Sequence, residues 1–273
     1  MVRGRVWPGL YIITAAILWS TIGVASVFSG NPILLSLFRS VSASIVALLI
    51  RRSLSKSSII TGLALGVLFA VYPMAAVMAG VGLAAFLLYT APLWTTFVAL
   101  ALGEKPSAKD ALGVSLVLIA IVLIGVQAIT GIINLAGLIM GLLSGISYGT
   151  YIALARYYAR GGSEVDVSWG AIPYTLIITV PTALLYMLTV RTLGLPIRPI
   201  LWGVYVGIVA TVIPYRLFAM GVSKIKASAA SVIATAEPVL AALWGFLFFK
   251  QVPSILSLIA YVLIITATVI VSL

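Results

Sequence analysis

The chain has 273 residues, of which 63% are hydrophobic and only 8% are charged, against about a quarter charged in soluble domains. It contains no Cys and no His, which excludes a disulfide framework, thiolate chemistry and metal sites of the usual nitrogen–sulfur type. The net charge of +11 comes from basic residues in short loops between apolar segments. Because no basic patch is interleaved with stacking aromatics, nucleic-acid binding is not expected.

Apolar runs long enough to cross a bilayer recur from one end of the chain to the other. They predict ten transmembrane helices near residues 7–28, 32–50, 58–80, 82–102, 109–127, 132–155, 168–190, 199–222, 227–249 and 252–272. We number these predicted helices span 1 to span 10. The first run is too long for the apolar core of a signal peptide, so we expect a retained helix. No soluble domain is predicted between the spans.

Lysine and arginine concentrate in alternate loops, which predicts the orientation of the bundle. One side collects Arg3, Arg5, Arg51, Arg52, Lys56, Lys105, Lys109, Arg156, Arg160, Lys224 and Lys226, and the other has Arg191, Arg198 and Lys250. By the positive-inside rule, both termini are expected to be cytoplasmic. We therefore expect a multi-pass protein of the inner or plasma membrane.

The two halves of the chain repeat each other. Gly62, Gly66, Pro73 and Gly80 of span 3 reappear 141 residues later as Gly203, Gly207, Pro214 and Gly221 of span 8. Ala91-Pro92 of span 4 matches Glu237-Pro238 of span 9 at an offset of 146, and Ile17, Trp19 and Thr21 match Ile146, Tyr148 and Thr150 more weakly. Each half has five spans, an odd number, so the second half must be inverted relative to the first.

This pattern predicts an all-α integral membrane protein with ten transmembrane helices in two inverted-topology repeats. The repeats cover residues 1–128 and 129–273 and together form one transmembrane domain. Such a plan is common in alternating-access transporters. Duplicated packing without any transport is the alternative.

Small residues and prolines mark the helices that pack closely or bend. Gly137, Gly141, Gly145 and Gly149 step every four residues along one face of span 6. Such a face lets helices approach closely, either within the chain or in a dimer, so we expect a monomer or a weak homodimer. Pro73, Pro92, Pro214 and Pro238 lie well inside spans 3, 4, 8 and 9 at repeat-related positions. We predict that they are hinges in the walls of a cavity.

Three charged residues lie inside the predicted spans and away from their first residues: Arg39, Arg216 and Glu237. Glu237 lies close to the midplane, where a carboxylate costs about 2.5–3.5 kcal/mol or more on insertion scales. It either receives a substrate amine or a coupling proton, or it is the structural partner of an arginine. Arg39 is predicted to be a structural charge, although a ligand role stays open. Arg216 lies near the cytoplasmic end of span 8, where its stem can snorkel or reach the cavity. We further expect Glu237 to pair with Arg216 or Arg39 in one conformation.

Aromatic residues inside the spans complete the candidate substrate-binding set. Its members are Glu237, Arg216, Trp19, Tyr89, Trp94, Tyr148, Tyr151, Tyr215 and Trp244. Each of these aromatics has packing as its alternative role. As a set they indicate a site for an organic molecule, with no metal and no cofactor. An enzyme is not expected, because the sequence lacks the catalytic residues and metal-binding motifs that intramembrane proteases and transferases require.

The chain resembles the drug/metabolite transporter superfamily, and within it the ten-helix EamA-like branch. The residues that carry the resemblance are 89–94 (Tyr-Thr-Ala-Pro-Leu-Trp) leading to Gly103-Glu104, 227–231 leading to 236–239, and Phe38-Arg39. The second half departs from the pattern, with Lys250-Gln251 where the first has Gly103-Glu104.

The resemblance implies a central cavity faced by spans 1, 3, 4, 6, 8 and 9. It also implies export or exchange of small metabolites, often amino acids, while relatives handle sugar phosphates, nucleotide sugars and drugs. We therefore expect a secondary active exporter of a small, amino acid-like metabolite that works by alternating access, with a proton as the candidate coupling ion. The alternatives are a lipid-carrier flippase and a non-transporting membrane scaffold or channel.

Overall fold

Helices account for the regular structure of the described chain. The structure is a computed structural model that describes residues 7–128, 134–190, 197–250 and 252–273. Ten helical segments in this part are long and apolar enough to cross a membrane: Pro8–Ser29, Pro32–Ile50, Lys56–Ala79, Leu83–Ala101, Ala108–Val126, Leu135–Ala159, Asp166–Thr189, Ile197–Val222, Ala227–Phe248 and Ile255–Ser272. They correspond in order to the ten predicted spans, and the prediction of an all-α membrane protein is confirmed.

Side-chain caps and prolines fix where several spans begin. The Asn31 side chain accepts a hydrogen bond from Leu34 N at 3.0 Å at the start of span 2. Asn134 accepts one from Gly137 N at 3.1 Å at the start of span 6. Such caps satisfy amide groups that have no partner inside the helix. Pro8 occupies the first turn of span 1, where a missing N–H has no consequence.

Three spans are interrupted inside the bundle. Span 1 consists of Pro8–Trp19 and Ile22–Ser29, span 4 contains Val81–Leu88 and Ala91–Ala101, and span 9 contains Ala227–Ala234 and Ala236–Phe249. The break in span 4 immediately precedes Ala91-Pro92, and the break in span 9 at Thr235 precedes Glu237-Pro238 by one residue. Broken backbone at membrane depth is tolerated only where protein or a water-filled cavity covers it. These breaks therefore mark the part of the bundle where a site is expected.

Irregular helix also occurs in spans 7 and 8. Span 7 begins with the π-helix Asp166–Gly170 and the 3-10 helix Ile172–Thr175, before the α-helix Leu176–Val190. Span 8 has the α-helices Ile197–Gly207 and Ile213–Val222 on either side of the π-helix Ile208–Val212. Short π-segments are frequently found at functional sites.

The glycine faces are used for packing within the chain. A Cβ atom at Gly141 or Gly145 of span 6 would lie within 2.5 Å of Leu87 atoms in span 4. Gly62 packs in the same way against Ala171 of span 7. Its counterpart Gly203 packs against Phe38 of span 2. Spans 3 and 8 thus meet spans 7 and 2, which is the reciprocal contact that two-fold-related halves require. The repeat itself stays a prediction.

Replacing Gly149 by Ala is expected to destabilise the protein by about 1–3 kcal/mol, the usual range for overpacking. A Cβ atom there would lie 2.6 Å from Ala91 O and 2.8 Å from Thr95 N, both backbone atoms that cannot swing away. Gly23→Ala is the matched control, because Gly23 is also helical and has no atom within 4 Å of a new Cβ. Thermal unfolding in detergent should show a lower midpoint for Gly149→Ala and an equal or higher one for the control. Equal midpoints for both variants would contradict the close packing.

One end of the bundle carries a dense set of polar contacts. The segments 51–55, 102–107, 160–165 and 223–226 meet there, and we call this end the charged face. Tyr174 Oη donates to Ser53 O at 2.7 Å, and Arg156 Nη1 donates to Ser223 O at 2.5 Å. These are the loops whose lysines and arginines predict the cytoplasmic side. The structure brings them together, and their sidedness stays a prediction.

Candidate binding site

Glu237 is positioned by the break in span 9. The first helix of the span ends at Ala234, Thr235 has non-helical backbone angles, and the second helix begins at Ala236. Glu237 and Pro238 therefore lie in the first turn of a helix that starts inside the bundle. Free amide groups at a helix start favour a nearby negative charge by about 0.3–1 kcal/mol. The break thus presents the carboxylate and partly offsets the cost of its position.

Tyrosines surround Glu237. The Tyr89 side chain lies beside the carboxyl group and comes from the break in span 4. Tyr72, Tyr148 and Tyr215 also lie close enough to interact electrostatically with the carboxylate. The structure therefore brings the broken regions of spans 4 and 9 together around one partly buried carboxyl group.

Arg39 is held at the side of the same cluster. Its side chain is 9% exposed, and its Nε donates to Thr211 Oγ1 at 2.7 Å. The guanidinium carbon lies 3.7 Å from the centre of the Phe69 ring, a cation–π distance. Tyr215 also lies close to the guanidinium group. The structural role of Arg39 stays a prediction.

The π-helix of span 8 explains the Thr211 contact. Thr211 lies within Ile208–Val212, and its Oγ1 donates to Val206 O at 2.8 Å, five residues back. The same hydroxyl accepts the hydrogen bond from Arg39 Nε of span 2. Within the described residues, Arg39 and Glu237 interact electrostatically without forming an ion pair. Their predicted pairing stays a prediction.

An aromatic cluster lies beside the two charges. The centre of the Trp19 ring lies 5.1 Å from the ring centre of Tyr215 and 6.3 Å from that of Tyr148. The ring centres of Tyr151 and Tyr215 are 5.4 Å apart. Phe218 closes the cluster, 5.5 Å from Trp19. Trp19 is 3% exposed, and its Nε1 has no hydrogen-bond partner in the described part of the chain. A buried donor without a partner is costly, so this N–H is available to a bound molecule.

The remaining predicted site residues have other neighbours. Trp244 donates from Nε1 to Ser20 Oγ at 2.8 Å and so ties span 9 to the break in span 1. Trp94 donates to Thr90 Oγ1 at 3.1 Å, within its own span. Arg216 lies 3.7 Å from Glu164, on the charged face. The structure therefore gathers Glu237, Tyr89, Tyr148, Tyr151, Tyr215 and Trp19 into one region and engages Arg216 elsewhere.

The four predicted hinge prolines have different local structures. Pro92 and Pro238 lie immediately after the breaks in spans 4 and 9. Pro214 begins the helix that follows the π-segment of span 8. Pro73 lies inside the uninterrupted helix Lys56–Ala79. Irregular backbone thus accompanies three of the four, and bending at any of them stays a prediction.

The sequence-based set lacks several residues of the site. Phe69 and Thr211 contact Arg39, Tyr72 interacts electrostatically with Glu237, and none of the three was predicted. Tyr72 directly precedes the repeated Pro73, so its position beside a predicted hinge was an available signal. Thr211 had no comparable signal, because its role depends on a π-helix that the sequence pattern does not reveal.

Comparison with known proteins gives the chain a family. A model of the EamA-like transporter family matches residues 135–273, about half of the chain. An uncharacterized transporter of Archaeoglobus fulgidus is 29% identical over 191 residues, which are 70% of this chain and 66% of that protein. The uncharacterized transporter YwfM of Bacillus subtilis is 30% identical over 122 residues, 45% of this chain and 40% of that protein. The matched part of the chain therefore spans less than two thirds of either relative.

The fold has a counterpart among solved structures. One crystal structure superposes with a TM-score of 0.81, covering 97% of this chain and 98% of the other at 21% sequence identity. At this identity the likeness shows a shared fold alone. The family match confirms the resemblance that the span 4 and span 9 motifs carry: the chain belongs to the EamA-like transporter family of the drug/metabolite transporter superfamily.

Proposed function

We propose that the protein is a secondary active transporter that exports a small, amino acid-like metabolite by alternating access. Membership of a transporter family supports the general activity. The observation that carries the proposal is the position of Glu237 at a helix break, beside Tyr89 at a second break and within electrostatic reach of Arg39. Charged groups inside a membrane protein mark substrate and ion pathways.

The charges favour a substrate with a cationic and an anionic end. Glu237 would hold the amine, or release it on taking up a coupling proton. Tyr148 and Tyr215 lie near both Glu237 and Arg39, so a molecule among them would feel a negative charge at one end and a positive charge at the other. The Trp19 N–H would donate to an acceptor on the substrate. An amino acid satisfies these requirements with its α-amino and α-carboxyl groups.

Entry of the substrate would require the spans to separate. Two small cavities of the described chain each have room for about one water molecule. One is lined by Glu104 and Arg156, the other by Ser36 and Phe69, and neither is lined by Glu237. In the proposed mechanism the halves rock about the Glu237 region, and the breaks in spans 1, 4 and 9 supply the flexible points.

Counterflow of a radiolabelled amino acid into reconstituted proteoliposomes tests the proposal. We expect saturable uptake driven by unlabelled amino acid inside, and none in empty liposomes. The substrate can first be chosen by a thermal-shift panel, because a ligand at about 100 times its Kd stabilises the native state by about 2.7 kcal/mol. Flux that does not saturate would instead indicate a channel. Absence of both stabilisation and flux across the panel would leave the scaffold alternative.

The flippase alternative rests on a basic residue at the mouth of the pathway. Arg216 is the candidate for that role, and its guanidinium lies 3.7 Å from Glu164 and 5.5 Å from the centre of the Trp169 ring. The nearby carboxylate offsets part of the positive charge that would attract a phosphate headgroup, while Arg216 Nη1 makes no hydrogen bond within the described residues. A lipid-scrambling assay without soluble substrate separates the two functions.

A further inference from the structure

The four acidic residues other than Glu237 all lie on the charged face. The chain has five Asp and Glu in total. Glu104, Asp110, Glu164 and Asp166 each lie within 4 Å of a lysine or arginine nitrogen. The ends of the spans at the opposite face carry no acidic residue in the sequence. Ion pairs with side-chain carboxylates can therefore form on one face of the bundle and not on the other.

Glu104 is the centre of these contacts. Its Oε2 accepts from Arg156 Nε at 2.8 Å and lies 3.8 Å from Arg160 Nη1, while its Oε1 accepts from Ala227 N at 2.6 Å. The side chain is 13% exposed. The carboxylate at the end of span 4 thus holds the end of span 6 and the start of span 9 simultaneously.

Arg156 extends the same group to span 8. Its Nη1 donates to Val222 O at 3.2 Å and to Ser223 O at 2.5 Å, the last carbonyl groups of that helix. Its side chain is 17% exposed. Two largely buried, oppositely charged groups therefore join the ends of spans 4, 6, 8 and 9. Removing either one leaves the other as an uncompensated buried charge.

Two more ion pairs cross between the predicted halves. Lys226 Nζ lies 3.7 Å from Asp110 Oδ2, and Arg51 Nη2 lies 3.4 Å from Asp166 Oδ1. The fourth acidic residue differs, because Glu164 and its partner Arg216 both belong to the second half. Three carboxylates therefore bridge the halves, and one does not.

The predicted repeat indicates which residues of the sequence correspond to this ionic centre. Lys250 has the same left-handed backbone as Gly103, with φ of 55° against 82°, so Gln251 is the sequence counterpart of Glu104. At the offset of 129 residues between spans 1 and 6, Val27 is the sequence counterpart of Arg156. The ionic centre of the charged face thus has a neutral amide and an apolar side chain as its counterparts.

Burial along span 9 follows the same asymmetry. Every residue of Ala227–Ala234, the helix on the charged-face side of Glu237, is buried. The residues from Ala236 to Ala242, on the other side of the break, are only partly buried. The exposed fraction along span 9 therefore increases from the charged face toward the opposite end of the span.

We propose that Glu104, Arg156 and the ion pairs Asp110–Lys226 and Arg51–Asp166 form a latch that holds the two halves together at the charged face. The sequence offers no carboxylate side chain for an equivalent at the opposite face, so the latch favours the state that is closed at the charged face. The inference rests on the proposed alternating-access function. It makes Glu104 a gating residue that contacts no substrate.

The test is the accessibility of a buried reporter without any substrate. The natural chain has no Cys, so Ala230→Cys, fully buried in span 9 on the charged-face side of Glu237, gives a single reactive thiol. Vesicles that present the charged face are treated with a membrane-impermeant maleimide, and Lys105→Cys, an exposed position on that face, reports orientation. We expect Glu104→Gln to speed labelling of the reporter by about tenfold, because losing a buried pair partner shifts the closed-to-open equilibrium by at least that much.

Glu164→Gln is the matched control. It removes a carboxylate from the same face without breaking a bridge between halves, so labelling should stay at the rate of the parent protein. If Glu104→Gln does not fold, the double variant Lys226→Gln with Arg51→Gln replaces it. The side chains of Lys226 and Arg51 are 42% and 52% exposed, so the variant should fold. Exposed ion pairs contribute less, and we therefore expect the labelling rate to rise only about twofold.

The latch proposal would be contradicted if the folded latch variants were labelled at the same rate as Glu164→Gln. The outcome is independent of the transport proposal, because labelling needs no substrate. Faster labelling in Glu104→Gln without counterflow would support the latch and contradict the transport function. Counterflow together with an unchanged labelling rate would support the transport function and contradict the latch.

Discussion

Glu237→Gln is expected to abolish transport, or to uncouple it from protons, while leaving the protein folded and at least as stable as the parent. Gln has the same shape but cannot bind a proton or carry a charge. A charge-assisted hydrogen bond to a substrate amine is worth about 1.5–3 kcal/mol, so substrate binding should weaken by roughly ten- to a hundredfold. The variant also removes the cost of a charge inside the membrane, which should raise or preserve the thermal midpoint.

The measurements are counterflow in proteoliposomes at several pH values and thermal unfolding in detergent. Glu164→Gln serves as control, because it neutralises a glutamate that lies on the charged face. Loss of transport with unchanged stability would separate a functional carboxylate from a structural one. Unchanged rates and pH dependence, together with a lower midpoint, would make Glu237 a structural partner of Arg39 and would refute its role in binding.

Arg39→Met is expected to destabilise the protein by about 1–3 kcal/mol, since polar groups that the guanidinium engages inside the bundle lose their partner. Those groups are Thr211 Oγ1 at 2.7 Å and the Tyr215 side chain, and the stacking on Phe69 at 3.7 Å is lost as well. Met preserves much of the apolar length of the side chain, so the effect reports the charge and its contacts. Thr211→Val, which removes a single acceptor, should have a smaller effect.

A double-mutant cycle with Glu237→Gln tests whether the two charges are coupled. Removing Arg39 leaves Glu237 without a nearby positive charge, and this penalty should disappear when residue 237 is already neutral. We expect a coupling free energy of about 0.5–3 kcal/mol from thermal or denaturant unfolding of the four proteins. Additive effects would mean that Arg39 acts only through Thr211, Tyr215 and Phe69.

The fold was predictable from the sequence because a bilayer imposes a length on each helix. The hydrocarbon core requires about 20 apolar residues per span, and the ten spans of the structure follow the ten apolar runs. The breaks in spans 4 and 9 were indicated by Pro92 and Pro238. The break in span 1 at Ser20 and Thr21 was not, since no proline or glycine marks those two positions.

The candidate site was predictable in part. Glu237 stood out because a carboxylate in an apolar run is expensive, and the aromatics around it stood out because they lie inside spans. Which aromatics meet it depends on how helices far apart in sequence rotate and pack. Trp94 and Tyr148 look alike in the sequence, yet Tyr148 lies near Glu237 and Trp94 donates to Thr90 within its own span.

By itself, the sequence determined the number of spans, the all-helical class and the cost of a charge at Glu237, because these depend on local hydropathy and on the thickness of a bilayer. The tertiary structure alone decided which partners the charges have. Arg216 meets Glu164, Arg39 meets Thr211 and Phe69, and Glu104 meets Arg156 and Ala227. Such pairs join residues brought together by helix packing, and packing depends on shape complementarity across the whole bundle, which no local pattern encodes.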